Sequence, residues 1–199
     1  MSLRQQVNAL WCANITFTVA LYVPMIDLYL CDLIGFLILW RMHRRLPADA
    51  PDEFRPVGWL AAISISGAIA LSGLATAQRA EENLNLLILP IVLVYFAVTL
   101  KLYWHYMGGA AELAERLKQE ELANYMRGSR VPFILTSIGL LFFMSALHAS
   151  TFPEPDTSLR GELIDMAMMM PAVWCLNWFF LLRPMIWLRR ALPAEEPAA

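Results

Sequence analysis

The side chains most able to do chemistry in this sequence are polar residues set in apolar surroundings. Asp32 lies inside an apolar stretch from about residue 7 to residue 40, and Asp27 precedes it by five residues. Five residues turn about 140° around a helix, so the two carboxylates do not form one site. Because a carboxylate at mid-membrane depth costs several kcal/mol or stays protonated, Asp32 is a candidate proton or cation site.

Asn177, in the last apolar stretch, is a candidate hydrogen-bond partner for Asp32. The pair has two interpretations: a relay in a small transporter or channel, or a structural contact between helices. Hydrogen bonds between membrane helices commonly hold those helices together, so the structural contact is favoured.

Two histidines, His43 and His105, lie near the ends of separate apolar stretches and are expected at one depth. Paired imidazoles can ligate a haem b, which would make the chain a redox membrane anchor. Both histidines also suit ordinary positions at a membrane interface. No spacing in the sequence predicts a catalytic residue, a metal site or a nucleotide loop, so neither a cofactor nor a nucleic-acid partner is predicted.

The elements that must position these residues follow from composition. The 199 residues are 59% hydrophobic and 16% charged, with a mean hydropathy of +0.52. Soluble domains carry more charge. The apolar runs approach the length of a bilayer crossing and are too continuous for barrel strands. The sequence therefore predicts an all-α, polytopic helical membrane protein forming one membrane domain over residues 1–199.

Five transmembrane helices are predicted, at residues 22–40, 57–77, 84–106, 131–149 and 163–187. Pro24 divides the first apolar stretch, and the half-polar residues 1–21 are expected to form an interfacial helix on the membrane or against a partner. Alternatively, residues 7–41 form a hairpin turning at Pro24 to Asp27, which adds a sixth crossing.

Three further predictions concern a short helix, the packing of the second span and the C-terminal tail. Gly108 and Gly109 are expected to end the third span, which leaves residues 110–126 as a short cytoplasmic helix. Small residues on one face of the second span, Ala62, Ser66 and Ala70, predict close packing against other helices. Residues 191–199 are expected to form a disordered tail.

Charge sets the expected orientation. Arg and Lys concentrate in the first loop, in the loop between spans three and four, and at the C-terminus, so these parts are predicted to be cytoplasmic and the N-terminus outside. A bias to Ala, Arg and Pro suggests a bacterial inner membrane. We expect a non-enzymatic integral membrane subunit whose partners are the lipid bilayer and other membrane subunits. The alternatives are a proton- or cation-coupled transporter using Asp32 and a haem b anchor.

Overall fold

The computed structural model describes residues 2–20, 28–78, 85–151 and 175–193, and every regular element there is helical. A 3₁₀ turn at Asp52–Phe54 precedes α3, and a π-helical turn at Asn177–Leu182 precedes α6. The predicted all-α class is confirmed for this part of the chain. The six α-helices are α1 (Leu3–Ala20), α2 (Leu28–His43), α3 (Val57–Gln78), α4 (Asn85–Arg116), α5 (Glu120–Thr151) and α6 (Arg183–Arg190).

Two of the described helical stretches, Asp52–Leu71 and Pro90–Arg116, are long and apolar enough to cross a bilayer. They correspond to α3 with the turn before it and to most of α4. The expected segment 57–77 coincides closely with α3, whereas residues 163–174 of the expected segment 163–187 lie outside the described residues. Pro184 is the second residue of α6, directly after the π-helical turn, so the helix departs from regular α geometry just before this proline without a break in the described residues.

The helices pack as a bundle in which sequence neighbours are neighbours in space. Helices α1 to α5 each contact the next, and α6 contacts both α5 and α1, which closes the ring. Helix α4 also contacts α1 across the interior. Short connections between antiparallel helices favour this arrangement.

Helix α1 differs from the interfacial helix that its sequence suggested. It begins with a capping box, in which the Ser2 and Gln5 side chains each accept a hydrogen bond from the other's backbone N–H. Its apolar face packs inside the bundle, and so do two of its polar side chains, Gln6 (3% exposed) and Asn14 (0% exposed). The half-polar pattern therefore marks a helix whose polar residues bond within the protein.

The start of α1 lies close to the end of α6. Arg4 donates to the backbone carbonyl of Pro193 over 2.5 Å, and the Tyr106 hydroxyl donates to the carbonyl of Leu10 over 2.9 Å. The start of α1 thus lies at the same end of the bundle as the end of α6. The expected arrangement had put the N-terminus and the C-terminal end on opposite sides, and the bundle differs from it. The hairpin that turns at Pro24 to Asp27 stays a prediction, because residues 21–27 lie outside the described residues.

The expected cytoplasmic helix over residues 110–126 is also wrong. Helix α4 continues through Gly108 and Gly109 to Arg116, and the chain turns at residues 117–119 into α5. The Gln119 N–H bonds to the Ala114 carbonyl over 2.9 Å, and Lys118 has a φ of 58°. These features form a Schellman motif, which ends a helix through a residue in the left-handed region.

Side-chain burial divides the bundle into two parts. Most fully buried side chains lie near the ends of α2 and α4 and the starts of α1, α3 and α5, which we call the Glu53 end. Away from it, large apolar side chains point outward, including Val94 at 62%, Leu135 at 64% and Phe142 at 70% exposed. Ser66 and Ala70 are exposed too, while Ala62 is partly buried, so the described helices cover only part of the predicted small-residue face of α3.

Candidate functional site: the ion-paired cluster at Glu53

The candidate site is built where the polar loop between α2 and α3 folds against α4. Pro51 fixes the start of the 3₁₀ turn, and Phe54 at its end is fully buried. Burying an aromatic ring removes a large apolar area from water, which anchors the turn. The preceding residue, Glu53, is thereby held against α4 and α5.

Glu53 accepts hydrogen bonds from two helices. His105 Nδ1 on α4 donates to Glu53 Oε2 over 2.7 Å, and Arg130 Nη1 on α5 donates to Glu53 Oε1 over 3.0 Å. The Arg130 guanidinium also lies 5.2 Å from the centre of the Trp104 ring. The Arg130 side chain is only 11% exposed, so this cation lies largely in the protein interior. One carboxylate therefore joins the loop to both helices of the α4–α5 hairpin.

Gly108 and Gly109 make this cluster possible because they leave room on α4. A Cβ at Gly108 would overlap the Arg130 guanidinium, and one at Gly109 would overlap the Phe54 ring. Glycine is suited to such close approach because it lacks a side chain. The two glycines therefore serve packing between elements, not the end of the helix.

The electrostatics of the cluster favour an ionised Glu53. Burial alone raises the pKa of this carboxyl, but hydrogen bonds from His105 and Arg130, with their charges, lower its pKa below the ordinary 4.5. Since an ionised carboxylate only accepts hydrogen bonds, the proton of the His105 contact belongs to Nδ1. The His105 and Glu53 side chains are 22% and 28% exposed, so both are accessible from outside the bundle.

Four tryptophans on other elements pair with exposed cations at the same end of the bundle. The pairs are Arg44 over Trp40 (5.1 Å), Lys101 over Trp59 (5.8 Å), Arg183 over Trp187 (4.6 Å) and Arg189 over Trp11 (5.3 Å). Each is within the distance at which a ring face attracts a cation.

The structure brings the two predicted haem ligands to one turn. His43 Nδ1 donates to the Phe54 carbonyl over 3.3 Å, while His105 contacts the adjacent Glu53. Their rings therefore contact neighbouring residues of the 3₁₀ turn, and bis-histidine ligation remains a prediction. Among the described residues, no group of three or more His, Cys, Asp or Glu side chains could hold a metal ion.

The structure describes only part of the predicted acidic site. Asp27 lies outside the described residues, and at Asp32 and Asn177 only the backbone is described. Asp32 belongs to α2, whose main neighbours are α1 and α3, whereas Asn177 begins the π-helical turn, which packs against α1, α5 and α6. The hydrogen bond between Asp32 and Asn177 remains a prediction.

Glu53 and Arg130 are functional candidates that sequence reasoning missed. They are 77 residues apart and belong to segments that read as an irregular loop and a helix start. The sequence signal for this site is the Gly108–Gly109 pair, because adjacent glycines can mark a place where another element packs closely on a helix as well as a helix end. In comparisons with protein-family models, with curated proteins and with solved structures, nothing matches this chain.

Proposed function

We propose that this chain is an integral membrane bundle that serves as a non-enzymatic subunit of a larger membrane assembly. The observation that carries the proposal is the outward apolar surface of α3, α4 and α5. In the most apolar 18-residue windows of Asp52–Leu71 and Pro90–Arg116, only 44% and 22% of the residues are buried inside the bundle. The core helix of a soluble protein would be mostly buried, whereas a bilayer is a suitable surrounding for exposed Leu, Val and Phe.

The distribution of charge supports a bilayer orientation. Thirteen of the fifteen Lys and Arg residues, all except Arg79 and Arg160, belong to the segments that form or adjoin the Glu53 end. By the positive-inside rule, that end faces the cytoplasm. The tryptophan–cation pairs lie at this end, where aromatic belts meet the lipid headgroups. The bacterial inner membrane is the proposed location.

The subunit part of the proposal rests on the α4–α5 hairpin beyond the apolar segments. Its tip exposes Lys118, Glu120 and Glu121, and Glu115 forms a bidentate pair with Arg127, with one contact of 2.6 Å. The Glu53 cluster fastens the neighbouring loop to both helices. A rigid, charged surface of this kind suits the docking of another subunit.

Alkaline carbonate extraction tests the membrane part. The chain should stay in the membrane pellet, and its release into the supernatant would overturn the proposal.

Native mass measurement in mild detergent tests the subunit part. A stoichiometric partner should co-purify with the wild type and with Arg55→Gln, but not with Glu120→Lys/Glu121→Lys. A chain that stays in the pellet but is always alone would refute the subunit role only.

A further inference from the structure

A groove of about 410 Å³ lies between α3 and α4, on the outward surface of the bundle. Its lining is apolar apart from the hydroxyl groups of Ser66 and Tyr95, and it includes Ile63, Pro90 and Val94. The Ser66 hydroxyl already donates to the Ala62 carbonyl over 3.2 Å. The groove therefore offers mainly apolar contact.

Gly67 forms the floor of the groove, and Tyr95 lies across it. A Cβ at Gly67 would come within 2.7 Å of the Tyr95 ring, so the glycine lets that ring approach α3 closely. The ring is also edge-on to Phe36, with centroids 6.5 Å apart. At the rim, Ile63 and Val94 are 43% and 62% exposed, so the groove opens to the surroundings of the bundle.

A cation lies at one end of this groove. Helical spacing places Lys101 on the same face of α4 as Val98 and Val94, which are three and seven residues away. The Lys101 ammonium lies 5.8 Å from the centre of the Trp59 ring, which is on the face of α3 that carries Ile63. Among the described residues, no carboxylate forms an ion pair with Lys101. An apolar groove thus ends at an exposed, positively charged mouth.

The length of the groove fits one leaflet of a bilayer. Eleven residues separate Lys101 from Pro90, which is about 16 Å along an α-helix. Half of the hydrocarbon core measures about 15 Å. A headgroup at Lys101 would therefore place its acyl chain along the whole lining. An anionic lipid supplies both the counter-charge for Lys101 and an apolar chain for the groove, whereas an apolar protein helix would supply only the second.

We propose that the groove between α3 and α4 is a site for an anionic phospholipid, with its phosphate on Lys101 and one acyl chain against Ile63, Gly67 and Val94. The site rests on the proposed membrane location of the chain. Basic pockets between membrane helices on the cytoplasmic side are suited to anionic headgroups. Trp59 supplies the amphipathic ring that sits at the headgroup level.

The experiment titrates the purified, delipidated full chain with phosphatidylglycerol or phosphatidylcholine of identical acyl chains, and counts bound lipid by native mass spectrometry. The wild type should bind phosphatidylglycerol more tightly. Lys101→Gln should weaken that binding about fivefold and leave phosphatidylcholine unchanged, as expected for one cation near a headgroup. Lys118→Gln, at the only other lysine, should change neither. Equal binding of both lipids by wild type and Lys101→Gln would overturn the headgroup site.

Filling the groove tests where the acyl chain lies. Ser66→Leu should weaken binding of both lipids, while Gly139→Leu should not, because nothing lies within 4 Å of a Cβ at Gly139. Val94→Phe is a second variant that fills the groove and should likewise weaken binding of both lipids. Val94 is 62% exposed, so a larger side chain there does not disturb the buried core. Unchanged lipid binding in a folded filling variant would overturn the proposal. So would a Ser66→Cys variant that forms a disulfide-linked dimer and excludes lipid.

Failure of the lipid site does not affect the proposed membrane location as long as the chain resists carbonate extraction. Release of the chain by carbonate would overturn both the membrane location and the lipid site.

Discussion

Replacing Glu53 with Gln isolates the electrostatic contribution of the cluster. Breaking a buried ion pair by removing one partner costs about 3–5 kcal/mol when the other charge is left fully buried. Here Arg130 is 11% and Glu53 28% exposed, and the Gln carbonyl can still accept one hydrogen bond. We therefore expect Glu53→Gln to lower the free energy of unfolding by about 2 kcal/mol. Equilibrium unfolding in detergent micelles, followed by helical circular dichroism, measures it.

The adjacent carboxylate provides a matched control. Asp52 pairs with Arg55 over 2.9 Å, but these side chains are 82% and 74% exposed, and exposed pairs contribute about 0–1 kcal/mol. Asp52→Asn should therefore have little effect. Equal losses for the two variants would refute the argument that burial makes the Glu53 cluster important. If Glu53→Gln lowers the free energy of unfolding by the same amount in an Arg130→Gln background, the lost stability does not come from the Glu53–Arg130 ion pair.

The same cluster predicts a pH dependence. Because its pKa is lowered in the folded chain, Glu53 stabilises the fold above the ordinary pKa of 4.5, and this contribution is lost as the pH falls through the lowered folded value. The stability difference between wild type and Glu53→Gln should therefore be largest near neutral pH and shrink below pH 4.5. A difference that stays constant across this range would contradict an ionised Glu53.

Three further predictions follow from the described helices. In a cysteine-free background, Ser2→Cys and Ala199→Cys should react with an impermeant maleimide from the same side of the membrane; reaction from opposite sides would restore the five-span arrangement. Gly109→Ala should destabilise the fold by about 1–3 kcal/mol through overpacking, whereas Gly128→Ala, in open space, should stabilise it by about 1 kcal/mol, both measured by equilibrium unfolding. Lys118→Gly should stabilise by about 1 kcal/mol because φ is 58° there, and Lys118→Ala should not.

Sequence reasoning succeeded where local patterns determine structure. The apolar run from Val57 predicts a helix whose observed bounds differ from the expected ones by one residue. The half-polar residues 1–21 predict a helix, and α1 occupies Leu3–Ala20 within that range. In both cases side chains a few residues apart decide the helix and its buried face, so the information is local.

The failures arise where distant segments meet. Helix propensity alone assigns each of two successive glycines a cost of about 1 kcal/mol, which favours a break at Gly108. Packing against Phe54 and Arg130 outweighs that cost, and neither partner is adjacent in sequence. The Glu53–His105 contact likewise joins residues 52 positions apart. No local pattern contains that pairing, so the candidate site could not be predicted from the sequence.

The predicted hairpin alternative also resolves a difficulty in the predicted charge distribution. With an interfacial α1 and an outside N-terminus, Arg4 lay with Arg79 and Arg160 on the side that disfavours positive charge. In the bundle, Arg4 contacts Pro193 instead, at the end that carries Arg189 and Arg190. Arg79 and Arg160, both outside the described residues, are then the two cations left for the opposite side in the predicted topology. For the proposed membrane location, the predicted six-crossing alternative is therefore more consistent with the positive-inside rule than five spans, and the polar side chains of α1 have partners inside the bundle.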